Sequence, residues 1–382
     1  MNILFICNEF PPEPHGGIGT FCETLSTALV VRGHTVVVAG IYSLSSSDKE
    51  YILHPSAIPL YRVRRKRGSL GNLWSRLMLF LLLQRLIKRY KIQIVEFPDY
   101  EGMFGYLPRL GVPNVVRLHG TRTYFSAEMK QPISKVLYYF ERSALRKSSH
   151  VVGVSAYAAQ KTRLLFHLKS PVEIVYNSIP MPEEEGIRNA CRISGKVVFT
   201  GTLNRKKGVL PLFESWPLVV NQISGAKLYI IGRDSMENGK SFKNMLMHKL
   251  PDRLAGTVIF LGHVERPLLL NELRTASVAV FPSFSETFGL APIEAMACGC
   301  PTIFTKYSSG PEIITDNVDG KLIDPLMPHE IADAIVTLLK DHSLAMRLGS
   351  EGRKTVRARF SLEKIILQNE AMYQRVLSGC QP

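Results

Sequence analysis

The sequence predicts an α/β protein made of two doubly wound parallel-sheet domains in tandem. Three observations carry that expectation. Continuous apolar runs such as Ile3-Leu4-Phe5-Ile6 lack the alternation of a half-exposed strand and are separated by helix-length amphipathic segments, the pattern of a parallel sheet covered on both faces. The order strand, glycine-bearing loop, helix, strand that opens the chain returns at residue 196. The 382 residues, 46% hydrophobic and 21% charged, suit two domains of roughly 100–200 residues each and exclude wholesale disorder.

Residues 3–6 form the first expected strand and run into Pro11-Pro12-Glu13-Pro14-His15-Gly16-Gly17-Ile18-Gly19, a loop of turn formers. Phe21, Leu25, Ala28 and Leu29 then recur at helical spacing over residues 20–31, and Gly33 stops that helix. Residues 35–39 follow as a strand, with further short strands at 92–95, 115–118 and 151–154. In the second half, 196–199, 228–232, 258–261, 278–281 and 301–304 read as strands and 210–220 as a helix. Pro180-Met181-Pro182-Glu183-Glu184-Glu185-Gly186 suits neither element and places a hinge near 180–195. The expected domains are therefore 1–180 and 196–360. A closing helix within 361–382 carries Ile365, Ile366, Met372, Tyr373, Val376 and Leu377 and needs a surface to dock on. Ligands of such sheets bind beyond the carboxyl ends of the strands, so two facing domains predict a cleft between them.

Composition removes several function classes. No apolar run approaches the ~18 residues of a membrane span. The first residues read as a strand rather than a signal peptide, because a basic leader is absent and Asn8-Glu9 interrupts the run. Six cysteines, at 7, 22, 191, 298, 300 and 380, form no CxxC pair, which predicts a reduced cytoplasmic protein without disulfides or structural zinc. The net charge of +15 is uneven: residues 1–180 hold 23 Lys/Arg against 11 Asp/Glu, and residues 51–95 hold ten basic side chains and no acid. Such a patch calls for an anionic partner of the first half.

The sharpest chemical segment is Phe284-Ser285-Glu286-Thr287-Phe288-Gly289-Leu290-Ala291-Pro292-Ile293-Glu294-Ala295-Met296-Ala297-Cys298-Gly299. It follows a strand, Pro292 suits a first helical turn and Gly299 suits a stop, so the free N–H groups near Gly289 and Leu290 sit at a helix N-terminus, a ready phosphate site. Glu294 lies about one turn inside, where a carboxylate accepts from vicinal ribose hydroxyls. Glu286 lies ahead of the helix and reaches toward whatever the phosphates carry. The bland alternative is an ordinary helix with acidic residues at its start.

This segment resembles the signature of the retaining nucleotide-sugar glycosyltransferases of family four, glycosyl transferases group 1, whose GT-B fold is two facing Rossmann-like domains; the likeness covers nearly the whole chain. The resemblance implies that Glu286 contacts the transferred sugar, Glu294 holds the ribose, and the backbone of Phe288, Gly289 and Leu290 binds phosphate. In Gly201-Thr202-Leu203-Asn204-Arg205-Lys206-Lys207-Gly208, cations after a strand can grip a pyrophosphate and stabilise the departing group. The family's Lys before the later Gly is matched by Lys207. Thr202 stands where it places an Arg, which leaves Arg205 as the candidate replacement; a solvated basic loop is the alternative.

Gly16-Gly17-Ile18-Gly19 fails as a dinucleotide fingerprint, since a third Gly would fall at Cys22 and no acid ends the second strand. A tight turn is the plain reading. The resemblance implies a loop over the donor phosphates with Gly17 at its centre. His119, at the end of an expected strand, is by itself more often structural; the resemblance puts such a His near the donor sugar, positioning it or polarising its hydroxyls. The basic stretch Arg62, Arg64, Arg65, Lys66, Arg67, followed by a segment bearing Leu73, Trp74, Leu77 and Leu81, has the character of an interfacial helix facing anionic lipid or a lipid-linked acceptor. Part of that helix also covers the sheet.

No Asp-x-Asp occurs, so no metal or other cofactor is expected beyond the donor itself; no Gly-x-Ser-x-Gly elbow or Walker loop occurs either. The expected activity is transfer of a hexose from a UDP- or GDP-sugar to a lipid-linked or polysaccharide acceptor, by a cytoplasmic protein at the inner membrane face. The rivals are a nucleotide-sugar epimerase of the same fold and a basic nucleic-acid-binding protein. The latter is disfavoured because the leucines of the basic stretch suit lipid better than stacked bases.

Overall fold

The computed structural model describes residues 1–45, 48–188 and 191–379. It contains two units, one formed by Met1–Pro180 with Leu362–Pro382 and the other by Met181–Ser361. In the first unit, β1 (Asn2–Ile6), β2 (Thr35–Tyr42), β3 (Tyr51–Leu53), β4 (Pro59–Arg64), β5 (Ile94–Pro98), β6 (Asn114–Leu118), β7 (His150–Gly153) and β8 (Glu173–Ile174) form one sheet ordered β3-β4-β2-β1-β5-β6-β7-β8. Only β3, at the edge, pairs antiparallel. The helices are α1 (Gly17–Val31), α2 (Gly68–Arg89), α3 (Arg122–Glu128), α4 (Lys135–Lys147) and α5 (Ala156–Phe166).

In the second unit, α6 (Glu184–Arg188) leads into a six-stranded, wholly parallel sheet. Its strands are β9 (Ile193–Thr200), β10 (Lys227–Ile231), β13 (Val258–Gly262), β14 (Ala276–Phe281), β15 (Thr302–Thr305) and β16 (Lys321–Ile323), ordered β13-β10-β9-β14-β15-β16. The hairpin β11 (Met236–Glu237) and β12 (Lys240–Ser241) stands apart. Around the sheet lie α7 (Val209–Gln222), α8 (Phe242–Lys249), α9 (Arg266–Thr275), α10 (Leu290–Ala297), α11 (Gly310–Ile313), α12 (Pro328–Lys340) and α13 (His342–Arg359). The last helix, α14 (Leu362–Leu377), belongs to the first unit.

The unbroken apolar strands are explained by two-sided burial. In β1, Ile3 and Phe5 face Leu25 and Leu29 of α1 together with Ile365, Ile366, Met372 and Tyr373 of α14, whereas Leu4 and Ile6 face Leu79, Leu83 and Leu86 of α2. In the second unit, Val197, Phe199, Leu228, Ile230, Val278 and Val280 pack on Leu212, Trp216 and Val219 of α7 and on Ile331, Ile335 and Leu338 of α12. Strand order reverses between β1 and β5 in the first sheet and between β9 and β14 in the second. Those reversals open the crevices at which doubly wound sheets hold ligands.

Several local expectations are corrected. Residues 51–64 carry two strands that the sequence reading passed over, because in β4 the buried Leu60 shares its face with the charged Arg62 and Arg64 while Tyr61 and Val63 lie on the other. α1 starts at Gly17 instead of Thr20, and the buried Gly19 within it is required, since a Cβ there would strike the Glu9 carbonyl. Five cysteines are free, and Cys380 lies outside the described residues.

α14 is tied to the first sheet by a buried polar network. Arg117 on β6 and Glu96 on β5 pair at 2.6 Å, with side chains 1% and 3% exposed. Arg117 also donates to Asn369 Oδ1 (2.6 Å), and the Tyr373 hydroxyl donates to Glu96 (2.6 Å). Removing one member strands the other's charge. Glu96→Ala is therefore expected to destabilise the protein by about 3–5 kcal/mol in denaturant unfolding, with the largest loss of amide protection in α14.

Candidate active site

The second unit gathers charge at the carboxyl ends of β9 and β14, on either side of its reversal point. After β9 the chain passes Gly201 and forms a single turn over Arg205–Lys207, capped by Asn204, whose Oδ1 accepts the Lys207 N–H at 3.0 Å. Gly208 then adopts a φ of +68°, and a Cβ there would collide with the Pro282 carbonyl beyond β14. That close approach brings the two loops together: Phe284 N–H donates to the Lys206 carbonyl at 2.8 Å, and the Lys207 ammonium forms an ion pair with Glu286. Ser283 Oγ donates to the same Glu286 oxygen at 3.1 Å. Burial pushes the Glu286 carboxyl up, but Lys207, Lys206 and Ser283 outweigh it and hold the group below its ordinary range. Lys206, half-buried, is pushed down to about 8 by burial and by its neighbour Lys207, with Glu286 opposing.

Beyond this pair, Gly289 takes a φ of +104° and α10 begins at Leu290. The first N–H groups of a helix have no acceptor within it, and α10's partial positive end faces the loop that carries Glu286. Glu294, one turn along and 8% exposed, accepts from Arg266 Nη1 of α9 at 2.6 Å. Burial raises its carboxyl above the usual range and Arg266 opposes that rise.

The structure thus brings together Lys207, Glu286, Phe288, Gly289 and Leu290 and sets Glu294 behind them. Arg205 is half-exposed and pairs with Glu237 on β11 at 2.6 Å; Thr202 is exposed. Sequence reasoning missed Ser283 and Arg266 and did not single out Lys206 within its loop. Arg266 precedes its partner by 28 residues on a different helix, a separation that no local pattern reveals.

In the first unit, His119 follows β6 and is 8% exposed, its ring 4.8 Å from that of Phe21. Asp99, at the end of β5, accepts the N–H groups of His119 (2.9 Å) and Gly120 (3.2 Å) and fixes the loop. Glu141 of α4 does the same for the N–H groups of Arg122 and Thr123 at the start of α3. Burial, aided by the charge of Arg117, pushes the His119 imidazole down to about 3, so the ring is neutral at physiological pH. Gly17 is exposed as the first residue of α1, while Glu9 accepts the Gly19 N–H at 2.8 Å and occupies that helix's start.

The basic stretch divides. Arg62 is buried, pairs with Glu13 and donates to the Lys49 carbonyl, so it belongs to the interior and not to the expected surface. Arg64 is half-buried; Arg65, Lys66 and Arg67 are exposed. Along α2, Leu70, Leu73, Trp74, Leu77 and Leu81 form an exposed stripe at helical spacing, opposite the core-facing Leu79, Leu83 and Leu86. Lys66 Nζ stands 3.8 Å from the Trp74 ring centre. Exposed Val136 and Tyr139 lie on α4, which neighbours α2 through Arg76 and Phe140. No helix among the described residues is long and apolar enough to cross a membrane, and no group of three or more His, Cys, Asp or Glu among them could hold a metal.

Residues 193–355 match the family model of glycosyl transferases group 1, and residues 15–181 that of glycosyltransferase family 4. An uncharacterized glycosyltransferase of Methanocaldococcus jannaschii is 25% identical, with 98% of each chain covered. Glycogen synthase of Mycobacterium tuberculosis is 24% identical, over 99% of this chain and 96% of the relative. Among solved structures, sucrose-phosphate synthase from Thermosynechococcus elongatus superposes with a TM-score of 0.81 at 19% identity, covering 99% of both chains. Anabaena HepE in complex with UDP-glucose gives 0.77 at 18%, covering 98% of this chain and 99% of that one. The fold is therefore GT-B.

The depressed His119 pKa has a stability consequence whose sign is fixed. The unfolded chain binds this proton near pH 6.5 and the folded chain does not until about pH 3, so stability present above pH 6.5 is lost as pH falls through that window. His119→Asn is expected to show a smaller drop in Tm between pH 7 and pH 4 than the unsubstituted protein. In NMR spectra the His119 ring resonances should stay flat from pH 5.5 to 9.

Proposed function

Because the chain belongs to the glycosyl transferases group 1 family, and is thus a glycosyltransferase, we propose that it moves a hexose from a UDP- or GDP-linked donor to a lipid-linked or polysaccharide acceptor with retained anomeric configuration. The observation that carries this reading is the Lys207–Glu286 pair set before the N-terminus of α10, with Glu294 one turn behind. A nucleoside diphosphate needs that sequence of groups: a carboxylate for ribose hydroxyls, amides and ammonium groups for phosphate, and a second carboxylate for the sugar.

When the bond from the anomeric carbon to the diphosphate oxygen breaks, negative charge grows on the departing phosphate. Lys207, with Lys206 beside it and the amides at Gly289 and Leu290, stabilises that charge. Glu286, relieved of Lys207 by the phosphate, accepts from hydroxyls of the transferred sugar. Glu294 holds the ribose, and Arg266 opposes the rise that burial gives its carboxyl. On the same reading the loop of Gly17 serves the donor phosphates, and the neutral His119 serves the sugar as a hydrogen-bonding group instead of a cation. No side chain in this set is a ready nucleophile, which favours departure and attack on one face of the sugar. Arg205, held by Glu237, is the less favoured of the loop's cations. No metal enters this scheme.

The stripe on α2, edged by Arg65, Lys66 and Arg67, supports an acceptor presented at an anionic membrane surface, with the protein peripheral at its cytoplasmic face. Apolar burial and cation attraction act together there, and Lys66 over Trp74 keeps a charge at the edge of the apolar stripe.

Three outcomes test this reading. In thermal-shift screening against nucleotide sugars, one donor should stabilise the protein by about 2.7 kcal/mol when present at 100 times its Kd. Lys207→Ala should lower kcat roughly 10²–10³-fold while leaving the fold intact; near-full turnover would remove Lys207 from the scheme. Replacing Trp74 and Leu77 together by Asp should abolish co-sedimentation with phosphatidylglycerol vesicles without lowering Tm, and unchanged vesicle binding would remove the membrane from the reading.

A further inference from the structure

The diphosphate site proposed above depends on an amide whose direction is set from outside its own loop. Ser309 lies after β15, is fully buried, and donates from Oγ to the Phe288 carbonyl at 2.7 Å. Across a trans peptide the carbonyl and the following N–H point in opposite directions. With the Phe288 carbonyl turned inward to Ser309, the Gly289 N–H is turned the other way, away from Ser309. A hydrogen bond to a peptide carbonyl also polarises that peptide and strengthens its N–H as a donor.

The neighbourhood permits few alternatives. The Phe288 ring is buried and packs edge-on against Phe360, with centroids 5.6 Å apart. Gly289 sits at a φ of +104°, and a Cβ there would press on the Phe304 ring and on Pro292. Ser309 is itself held: its carbonyl accepts the Glu312 N–H at 3.1 Å, and Gly310 N–H donates to the Tyr307 carbonyl at 3.0 Å. A Cβ on Gly310 would collide with the Thr305 carbonyl, so the turn after β15 is closely packed.

We propose that Ser309 is the positioning residue of the donor-phosphate site, aligning and polarising the Phe288–Gly289 peptide so that the Gly289 amide meets the diphosphate. The inference rests on the reading of this site as a nucleoside-diphosphate site. It assigns Ser309 no contact with the donor.

The test uses the full chain, with UDP, GDP and their nucleosides as probes in calorimetry. Ser309→Ala and Ser309→Gly both delete the hydroxyl. Each should weaken binding of the preferred diphosphate roughly tenfold while leaving affinity for the matching nucleoside unchanged. A merely structural role would weaken both ligands alike, and that result, or equal diphosphate affinity in variant and unsubstituted protein, overturns the proposal. A second measurement does not need the variants: in protein labelled with ¹⁵N-glycine, the diphosphate should move the Gly289 amide resonance strongly downfield, and a stationary resonance overturns the proposal. If the unsubstituted protein binds neither diphosphate, the reading of the site falls and this inference falls with it. Binding without the Ser309 effect removes the inference alone.

Discussion

A carboxylate sunk at the carboxyl end of a parallel sheet has to be compensated, and in the second unit that requirement organises everything near Glu286. Desolvation alone would push its carboxyl up; Lys207, Lys206 and the hydroxyl of Ser283 outweigh that and hold it below its ordinary range. Lys207 reaches it because Gly208 lets its loop lie against the Pro282 carbonyl, an approach closed to any residue with a Cβ. In the function proposed above, the consequence is a site prepared for exchange, in which incoming phosphate competes for the cation and the released carboxylate meets the sugar.

The first unit handles buried acids differently. Asp99, Glu141 and Glu9 each accept backbone N–H groups at the start of a loop or helix, so their role is to fix the main chain. Glu96 is instead balanced by a buried cation, Arg117, and that pair serves the docking of α14. His119 sits between these two solutions. Its backbone is anchored by Asp99 and its ring is kept neutral by burial beside Arg117.

Much of this arrangement was legible in the sequence. The repeated strand–loop–helix order and the two-sided apolar strands of β1 and β9 indicated tandem parallel sheets, and family matches over both halves support the same conclusion. The segment from Glu286 to Glu294 was readable because its loop and helix start are contiguous. What could not be read was set by tertiary pairing. Arg62 looks like a surface cation in a basic run, yet its place on β4 beside β2 turns it toward Glu13. Arg266 and Ser309 meet Glu294 and the Phe288 carbonyl across 28 and 21 residues respectively, and a lone Arg or Ser carries no mark of the partner it will meet. Likewise, the apolar face of the last helix was visible from its spacing, whereas its host unit was not.

That host is the unit whose strands the ribosome makes first. The second unit is a continuous segment, so its sheet and helices can close as soon as they emerge. The earlier unit has no such freedom: the part of its sheet that α14 covers, with the charges of Arg117 and Glu96, stays uncovered until translation reaches Tyr373. The half of the chain that is synthesised first is therefore the last to be completed.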